Sequence, residues 1–340
     1  MARWQNRPSG SNWGDFGAED QRGRMNLLTP ARRLTAVREV REGIVFSLSL
    51  PLDYPGGVGL WETREPPRLT ATRFANGQPA YPHRVSQQLP RATDVFCDDA
   101  VTLCLQYSTQ WDALAHCGSE FDADGDGVRE AVFYNGYRAG ADIVGPDEPG
   151  GPCARALGIE NLARAGVQGR GVLVDLYSEY GRTGAGVGYE ALMRLMEVQR
   201  VRVEDGDFLC LYTGLADLVL EMRKQPDRAT LHRSCAALDG ADERLQRWIA
   251  ESGIVAICAD NAAVESTHMA ASTKNGGRGA LLPLHELCLF KLGIHLGELW
   301  YFRELAHWLR GHSRNRFLLT APPLDLPGAV GSPVTPLATV

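Results

Sequence analysis

Side chains that could do chemistry are concentrated in one stretch of this sequence, from Gln106 to His116. Gln106, Gln110 and Asp112 lie at even spacing, so an extended chain would direct all three to one side. His116 follows Asp112 by four residues and could return to that side if the chain turns helical. The apolar run at residues 101–105 predicts a buried strand that ends here. These groups indicate either a polar site at a strand end or a capped turn with a satisfied core histidine.

The same stretch resembles the signature of the metal-dependent cyclase and hydrolase family that includes bacterial kynurenine formamidase and isatin hydrolase. That signature reads His-x-Gly-Thr-His-x-Asp-x-Pro-x-His. Its three histidines fall at Gln106, Gln110 and His116, and its threonine and aspartate are retained as Thr109 and Asp112. The form Gln-x-x-Thr-Gln-Trp-Asp-x-x-x-His is similar to that of a longer branch of the same family.

Further blocks along the chain are similar to this longer branch, so the resemblance covers nearly the whole sequence. These blocks are residues 12–30, 168–175, 260–265, 284–287, 296–300 and 331–333. The resemblance implies an α/β fold of the swivelling β/β/α cyclase-like type, in which helices flank a barrel-like mixed sheet. It also implies that the chain forms a homo-oligomer, a dimer or a tetramer.

Hydrophobic periodicity alone predicts α/β architecture, because strands and helices alternate through the second half of the chain. Predicted helices cover residues 30–40, 159–165, 189–199, 241–252, 284–292 and 301–310. Predicted strands cover residues 44–50, 171–176, 207–212, 254–258, 294–299 and 317–319. Residues 51–95 are rich in Pro, Gly and Arg with little periodicity, which is typical of a lid or an insertion loop. With no convincing linker, residues 1–340 are expected to form a single domain.

The family resemblance implies that a histidine and a glutamate from the C-terminal half complete a metal site, and His285 and Glu298 match them. Together with Asp112 and His116 they would form a set of two imidazoles and two carboxylates, which suits Zn²⁺ or Mn²⁺. His116 or Glu298 would then move the proton during catalysis.

The two glutamines leave an alternative open, since a carboxamide oxygen is a poorer zinc ligand than an imidazole. Gln106 and Gln110 could instead bind the substrate or orient Asp112. An Asp112–His116 acid–base pair would then work without a metal.

A second acidic motif copies the first half of a calcium loop, with carboxylates at Asp122, Asp124 and Asp126. Its twelfth position is Phe133 rather than a bidentate glutamate. We therefore expect a solvated acidic turn rather than a Ca²⁺ site.

Other candidates carry weaker signals. Asp260 and Glu265 follow the predicted strand 254–258 and could line the same site, because ligands gather at strand C-termini in α/β folds. Equally, Asp260 could cap a turn and Glu265 could be solvated. Trp111 is either a core residue or a wall on which the substrate stacks. The remaining lone histidines are expected at the surface; they are residues His268, His295, His307 and His312.

Composition excludes several classes of protein. A net charge of −6 with scattered basic residues argues against nucleic-acid or anionic-membrane binding. No apolar stretch approaches the about 20 residues that span a bilayer. The N-terminus lacks an apolar signal-peptide region, and eight cysteines without a Cys-x-x-Cys pair are typical of a reduced cytoplasmic protein.

The leading hypothesis is a cytoplasmic, metal-dependent hydrolase that cleaves a non-peptide C–N bond of a small amide, cyclic amides included. The first alternative is a metal-independent cyclase or dehydratase of natural-product metabolism that uses the Asp–His pair. The second is a non-catalytic small-molecule binder, which the missing histidines allow. In each case Gln106, Gln110, Trp111 and Asp260 are candidate contacts for the small molecule.

Overall fold

One mixed sheet of nine strands organises the fold, as seen in a computed structural model that describes residues 2–267 and 279–340. In chain order the strands are β1 (Val45–Ser47), β2 (Gln110–Asp112), β3 (Gln168–Asp175), β4 (Phe208–Tyr212), β5 (Ala256–Ala259), β6 (His295–Glu298), β7 (Arg316–Thr320), β8 (Gly331–Pro333) and β9 (Leu337–Thr339). Across the sheet their order is β1-β9-β7-β3-β4-β5-β6-β2-β8. The sheet curls into a half-barrel.

The four central strands, β3 to β6, are parallel, and antiparallel strands flank them on both sides. Strands β4 and β5 are buried at every position. A parallel strand covered on both faces needs apolar residues throughout, which explains why these segments are continuous apolar runs. Strand β2 pairs antiparallel with β6 and brings Gln110 opposite Glu298.

Nine helices in the described part of the chain pack around this sheet. They are α1 (Pro30–Val37), α2 (Glu160–Ala165), α3 (Tyr177–Tyr180), α4 (Tyr189–Val198), α5 (Leu215–Glu221), α6 (Arg228–Leu231), α7 (Glu243–Glu251), α8 (Pro283–His285) and α9 (Arg303–Gly311). Leu192 of α4 and Ile249 of α7 pack on one face of the sheet, and Leu162 of α2 and Leu305 of α9 pack on the other. The predicted α/β architecture is confirmed.

Helix starts follow ordinary capping chemistry. Thr29 accepts a hydrogen bond from the Arg32 backbone and precedes Pro30, and Asp242 caps α7 by accepting from two backbone N–H groups. Helix α8 continues as a π-helix over Glu286–Leu292, within the helix predicted for residues 284–292. π-Helical turns are rare and occur frequently at functional sites. No helix in the described ranges is long and apolar enough to cross a membrane.

The apolar run at residues 101–105 is not the buried strand that its composition predicts. Its first residues belong to the strand Asp99–Thr102, which is exposed and pairs with Arg68–Ala71. A second short pair, His83–Arg84 with Val95–Phe96, lies within the same excursion. We call residues 67–103 the arm. In the described chain, no arm residue belongs to the hydrophobic clusters that pack on the sheet.

Candidate metal centre

The centre of the site is the pairing of β2 with β6. Alternation along β2 directs Gln110 and Asp112 to the same face, and the register brings them against Glu298. The Gln110 side-chain amide donates to Glu298 Oε2 at 2.9 Å and to Asp112 Oδ1 at 3.4 Å. All three side chains are buried. One neutral amide therefore bridges two carboxylates that would otherwise repel each other.

His285 enters the site from the end of α8. Its Nε2 lies 3.3 Å from Glu298 Oε1, and its Nδ1 lies 2.9 Å from Glu265 Oε1. Burial alone would lower the pKa of His285, but the hydrogen bonds and charges of Glu265 and Glu298 outweigh it and raise the pKa to about 10. In the absence of a metal the imidazole is thus a cation between two carboxylates.

Glu265 is a residue that sequence reasoning left undecided, and its placement is specific. Its carboxylate accepts the backbone N–H groups of Leu284 and His285 at 2.9 Å each, so it caps α8 while it orients the His285 ring. The alternative of a solvated Glu265 is wrong, because only 3% of the residue is exposed. Val264 just before it and Leu299 just after Glu298 have positive φ angles of 58° and 53°. Such strained conformations persist where surrounding structure enforces them, typically at functional sites.

Asp112, His285 and Glu298 form a group able to hold a divalent metal, since one ligand atom from each lies within 4.8 Å of the others. Three buried oxygens in and beside this group, Asp112 Oδ2, Glu298 Oε1 and Gln110 Oε1, accept no hydrogen bond from any described residue. Buried oxygens without donors are costly, and a cation would satisfy them. The donor set of one imidazole and two carboxylates also fits a borderline divalent ion.

His116 stands beside this group. Its Nε2 lies 3.9 Å from Asp112 Oδ1, and its side chain remains 24% exposed. The charge of Asp112 raises the pKa of His116, but burial and the positive charges of His285 and Arg64 outweigh it, so the net shift is downward. His116 is therefore a neutral imidazole at the solvent side of the site near neutral pH.

The pKa of Glu298 shifts in the opposite direction, upward. Burial and the charge of Asp112 raise the pKa of Glu298, while His285 and Arg64 oppose the rise. The buried site holds three carboxylates, those of Asp112, Glu265 and Glu298. The negative charge of these carboxylates favours the binding of a cation.

The family model described as "Putative cyclase" matches residues 46–266 of the chain, which is more than half of its 340 residues. The chain belongs to the Cyclase family. The match includes the stretch from Gln106 to His116 and ends just after Glu265. His285 and Glu298, which complete the group that could hold a metal in this cyclase-family chain, lie beyond the matched residues.

Solved structures agree with this assignment. A crystal structure described as that of a novel cyclase is 32% identical, with a TM-score of 0.74 over 97% of each chain. Isatin hydrolase A from Labrenzia aggregata, solved with benzyl benzoate, is 14% identical with a TM-score of 0.55, over 92% of this chain and 99% of its own. Isatin hydrolase A from Ralstonia solanacearum has the same identity and TM-score, over 91% and 97%. At 14% identity the likeness shows the fold alone. A comparison with curated proteins finds no match.

The sequence-based resemblance to the cyclase family is thereby confirmed, and so is the cyclase-like fold with its barrel-like mixed sheet. The fold is similar to that of isatin hydrolase A.

The other predicted site residues of this cyclase-family chain have different placements. Gln106 lies in the turn before β2, and its buried side-chain nitrogen has no acceptor among the described residues. Trp111 is fully buried on the opposite face of β2 from Gln110, packs edge-on against Trp300 and is not in the site. Asp260 accepts the backbone N–H groups of Thr213 and Gly214 at 2.6 and 2.8 Å, which is the turn-capping alternative.

The lone histidines and the acidic motif complete the comparison. The prediction of a surface position for His295 is wrong: it is 1% exposed on β6, and its Nδ1 lies 3.0 Å from the Asp112 carbonyl. His268 lies outside the described residues. The carboxylates of Asp122 and Asp124 accept hydrogen bonds from N–H groups of their own loop, and Asp126 does the same. All eight cysteines are free thiols.

Proposed function

We propose that this chain is a metal-dependent hydrolase that cleaves the C–N bond of a small amide, cyclic amides included. The observation that supports it best is the convergence of Asp112, His285 and Glu298, buried side chains from distant parts of the chain, within 4.8 Å of one another. Three buried oxygens without donors strengthen the case for a cation at this position.

Asp112 and Glu298 would hold the metal through carboxylate oxygens and His285 through Nε2, with Zn²⁺ or Mn²⁺ as the ions that suit these ligands. When bound, such an ion supplies Lewis-acid chemistry by polarising a carbonyl and making water more acidic. Glu265 fixes the His285 ring so that Nε2 faces Glu298.

His116 is our candidate for the general base. It is neutral because its pKa is lowered, it is partly exposed, and it lies 3.9 Å from Asp112. A neutral imidazole at the edge of the site can take a proton from an attacking water and return it to the leaving nitrogen. Gln106 and Gln110 would contribute hydrogen bonds to the substrate or keep Asp112 in place.

One observation favours a second candidate, a metal-independent cyclase or dehydratase. The Gln110 amide already donates to both Asp112 and Glu298, and the protonated His285 lies at ion-pair distance from Glu298. If no metal displaces them, Asp112 and His116 remain as an acid–base pair for chemistry that does not cleave a stable amide.

Metal analysis and turnover together test the proposal. The chain purified without added metal is assayed for Zn and Mn, beside Asp112→Asn and the control Asp147→Asn, which removes an exposed carboxylate outside both acidic groups. We expect one equivalent of metal that is lost only in Asp112→Asn, with turnover of formanilides or cyclic imides that falls in parallel. A chain that contains no metal and yet shows full turnover would support the second candidate, a metal-independent enzyme. Ligand stabilisation without any turnover would point to a binding protein.

A further inference from the structure

Arg64 reaches the site from the segment that precedes the arm. Its Nη1 donates to the backbone carbonyl of Gln106 at 2.8 Å, and its guanidinium lies 5.6 Å from the ring centroid of Trp61. Gln106 in turn packs against Gly331, the β8 residue that pairs with Asp112. Arg64 is half-buried, so its charge is only partly hydrated.

The charged neighbours of Arg64 are paired, while Arg64 is not. Glu62 forms an ion pair with Arg228, and Glu65 forms one with Arg68. No carboxylate within the described ranges lies in ion-pair distance of Arg64, and its only side-chain hydrogen bond there uses one of its N–H groups. A half-buried guanidinium with unused donors is costly unless a ligand completes it.

Packing and hydrogen bonds hold the segment that carries Arg64. Leu60 is 3% exposed and packs in a cluster with Leu50 and Leu299, the residue after Glu298. The carbonyl of Leu60 also contacts His232 Nε2 at 3.0 Å and accepts from Arg228 at 3.3 Å. The turn that carries Arg64 is thus anchored at both ends, to Leu60 and to Gln106.

The positive charge of Arg64 acts on two residues of the site. It lowers the pKa of both His116 and Glu298. An anion that approaches the three carboxylates of the site would be repelled unless a cation accompanies it. Arg64 is held against Gln106, close enough for its charge to act on Glu298, and its planar fork matches a carboxylate in two-point geometry.

We propose that Arg64 binds a carboxylate group of the substrate, so that the substrate is an anionic amide, with Trp61 as the wall beside its planar part. The substrate role rests on the proposed function, whereas the anion-binding role does not. One guanidinium opposite several carboxylates suits a singly charged carboxylate better than a phosphate dianion, which needs more positive charge.

Paired probes test this inference. Binding of benzoate and of benzamide, which differ in one group, an anionic carboxylate against a neutral carboxamide, is measured by calorimetry with and without Zn²⁺. The proteins are the full chain, Arg64→Gln, Arg64→Lys, and the control Arg68→Gln, which removes an exposed arginine of the neighbouring ion pair. We expect the chain to bind benzoate about ten-fold more tightly than benzamide, as charge-assisted hydrogen bonds allow. Arg64→Gln should abolish this preference, Arg64→Lys should keep part of it, and Arg68→Gln should keep all of it.

Turnover of a second pair, 2-formamidobenzoate and formanilide, separates this inference from the proposed function. Hydrolysis of neither, with benzoate binding that still depends on Arg64, would overturn the hydrolase proposal and support the anion site. Hydrolysis of both at equal efficiency, with no effect of Arg64→Gln on KM, would overturn the anion site alone. Benzoate binding that is no tighter than benzamide binding, or is unchanged in Arg64→Gln, would overturn it as well.

Discussion

Glu265 Oε1 lies 2.9 Å from His285 Nδ1 and accepts the backbone N–H of the same residue. Its second oxygen accepts the N–H of Leu284. One carboxylate therefore starts helix α8 and fixes the ring that faces Glu298. Groups that orient a metal ligand in this way are expected to tune the metal affinity itself.

Glu265→Gln should weaken metal binding by about ten- to a hundred-fold, the usual effect of losing a partner behind a histidine ligand. The amide offers one acceptor oxygen where the carboxylate served three donors, and it adds a donor that faces the N–H of Leu284. Zn²⁺ and Mn²⁺ affinities are measured by competition with a chelator. Glu286→Gln is the control, because Glu286 is adjacent in sequence but accepts from Ser119. Equal losses in both variants would contradict this role for Glu265.

Metal binding should release a proton from His285. The pKa of His285 is raised to about 10 without a metal, so the ring is protonated across the neutral range, and a metal needs the lone pair of Nε2. Below pH 10 the apparent affinity should rise by about ten-fold per pH unit for this one proton, and it should level off above pH 10. Calorimetry in two buffers of different ionisation enthalpy counts the protons. Binding without proton release would show that His285 is not a ligand.

Gln110→Leu should destabilise the metal-free chain by about 2 kcal/mol, because Glu298 and Asp112 both lose the buried donor that they share. Added Zn²⁺ or Mn²⁺ should offset the loss, since a cation can take over the role of the amide. Gln106→Leu is a matched control: its side-chain nitrogen has no acceptor in the described chain, so its removal should cost little. Unfolding in urea measures both variants. Equal stability losses would mean that the bridging amide is not what stabilises the two carboxylates.

Sequence alone identifies the residue types of the site but not their partners. Strand β6 is predicted from its own apolar pattern, strand β2 is not predicted as a strand, and Gln110 and Glu298 are 188 residues apart in the chain. Their contact depends on the antiparallel pairing of β2 beside the last parallel strand, which no local pattern encodes. The family resemblance supplied His285 and Glu298 for this reason. Spacing within the stretch from Gln106 to His116 could not.

Local sequence patterns gave wrong predictions at two positions, residues 101–105 and His295, and each error has a physical reason. The run at residues 101–105 is apolar, yet its strand Asp99–Thr102 lies in the exposed arm, and hydrophobic composition cannot tell a core strand from an arm strand. His295 was expected at the surface because it is a lone histidine. A usable signal was present: Ile294 and Leu296 flank it in a parallel strand, where both faces are buried.

The arm provides a test of the expected homo-oligomer. Leu69, Phe96 and Val101 are 73%, 55% and 46% exposed and have no place in the hydrophobic clusters of the described chain. Leu69 and Val101 lie opposite each other in one strand pair of the arm, and exposed apolar patches commonly mark a protein interface. Leu69→Glu combined with Phe96→Glu should lower the mass measured by light scattering after size exclusion, whereas Gln88→Glu, an exposed arm control, should not. An unchanged assembly, or a monomer from the start, would contradict the role of the arm.

The buried ring of His295 should make the fold acid-sensitive. Burial lowers the pKa of His295 to about 4 from the ordinary value of 6.5, so the folded chain keeps the ring neutral under conditions where the unfolded chain protonates it. The contribution is complete above pH 6.5 and is lost as the pH falls from 6.5 towards 4, where the folded state also takes up the proton.

Between pH 7.5 and 5, linkage makes this loss about 2 kcal/mol of unfolding free energy. His295→Asn keeps a donor for the Asp112 carbonyl but cannot titrate, so its unfolding free energy should fall by about that much less over the same range. The exposed His307→Asn is the control and should follow the unmodified chain. Equal losses of stability in His295→Asn and the unmodified chain, measured by denaturant titration at the two pH values, would mean that His295 takes up its proton in the folded state. The ring would then be more accessible than its burial on β6 beside Asp112 requires.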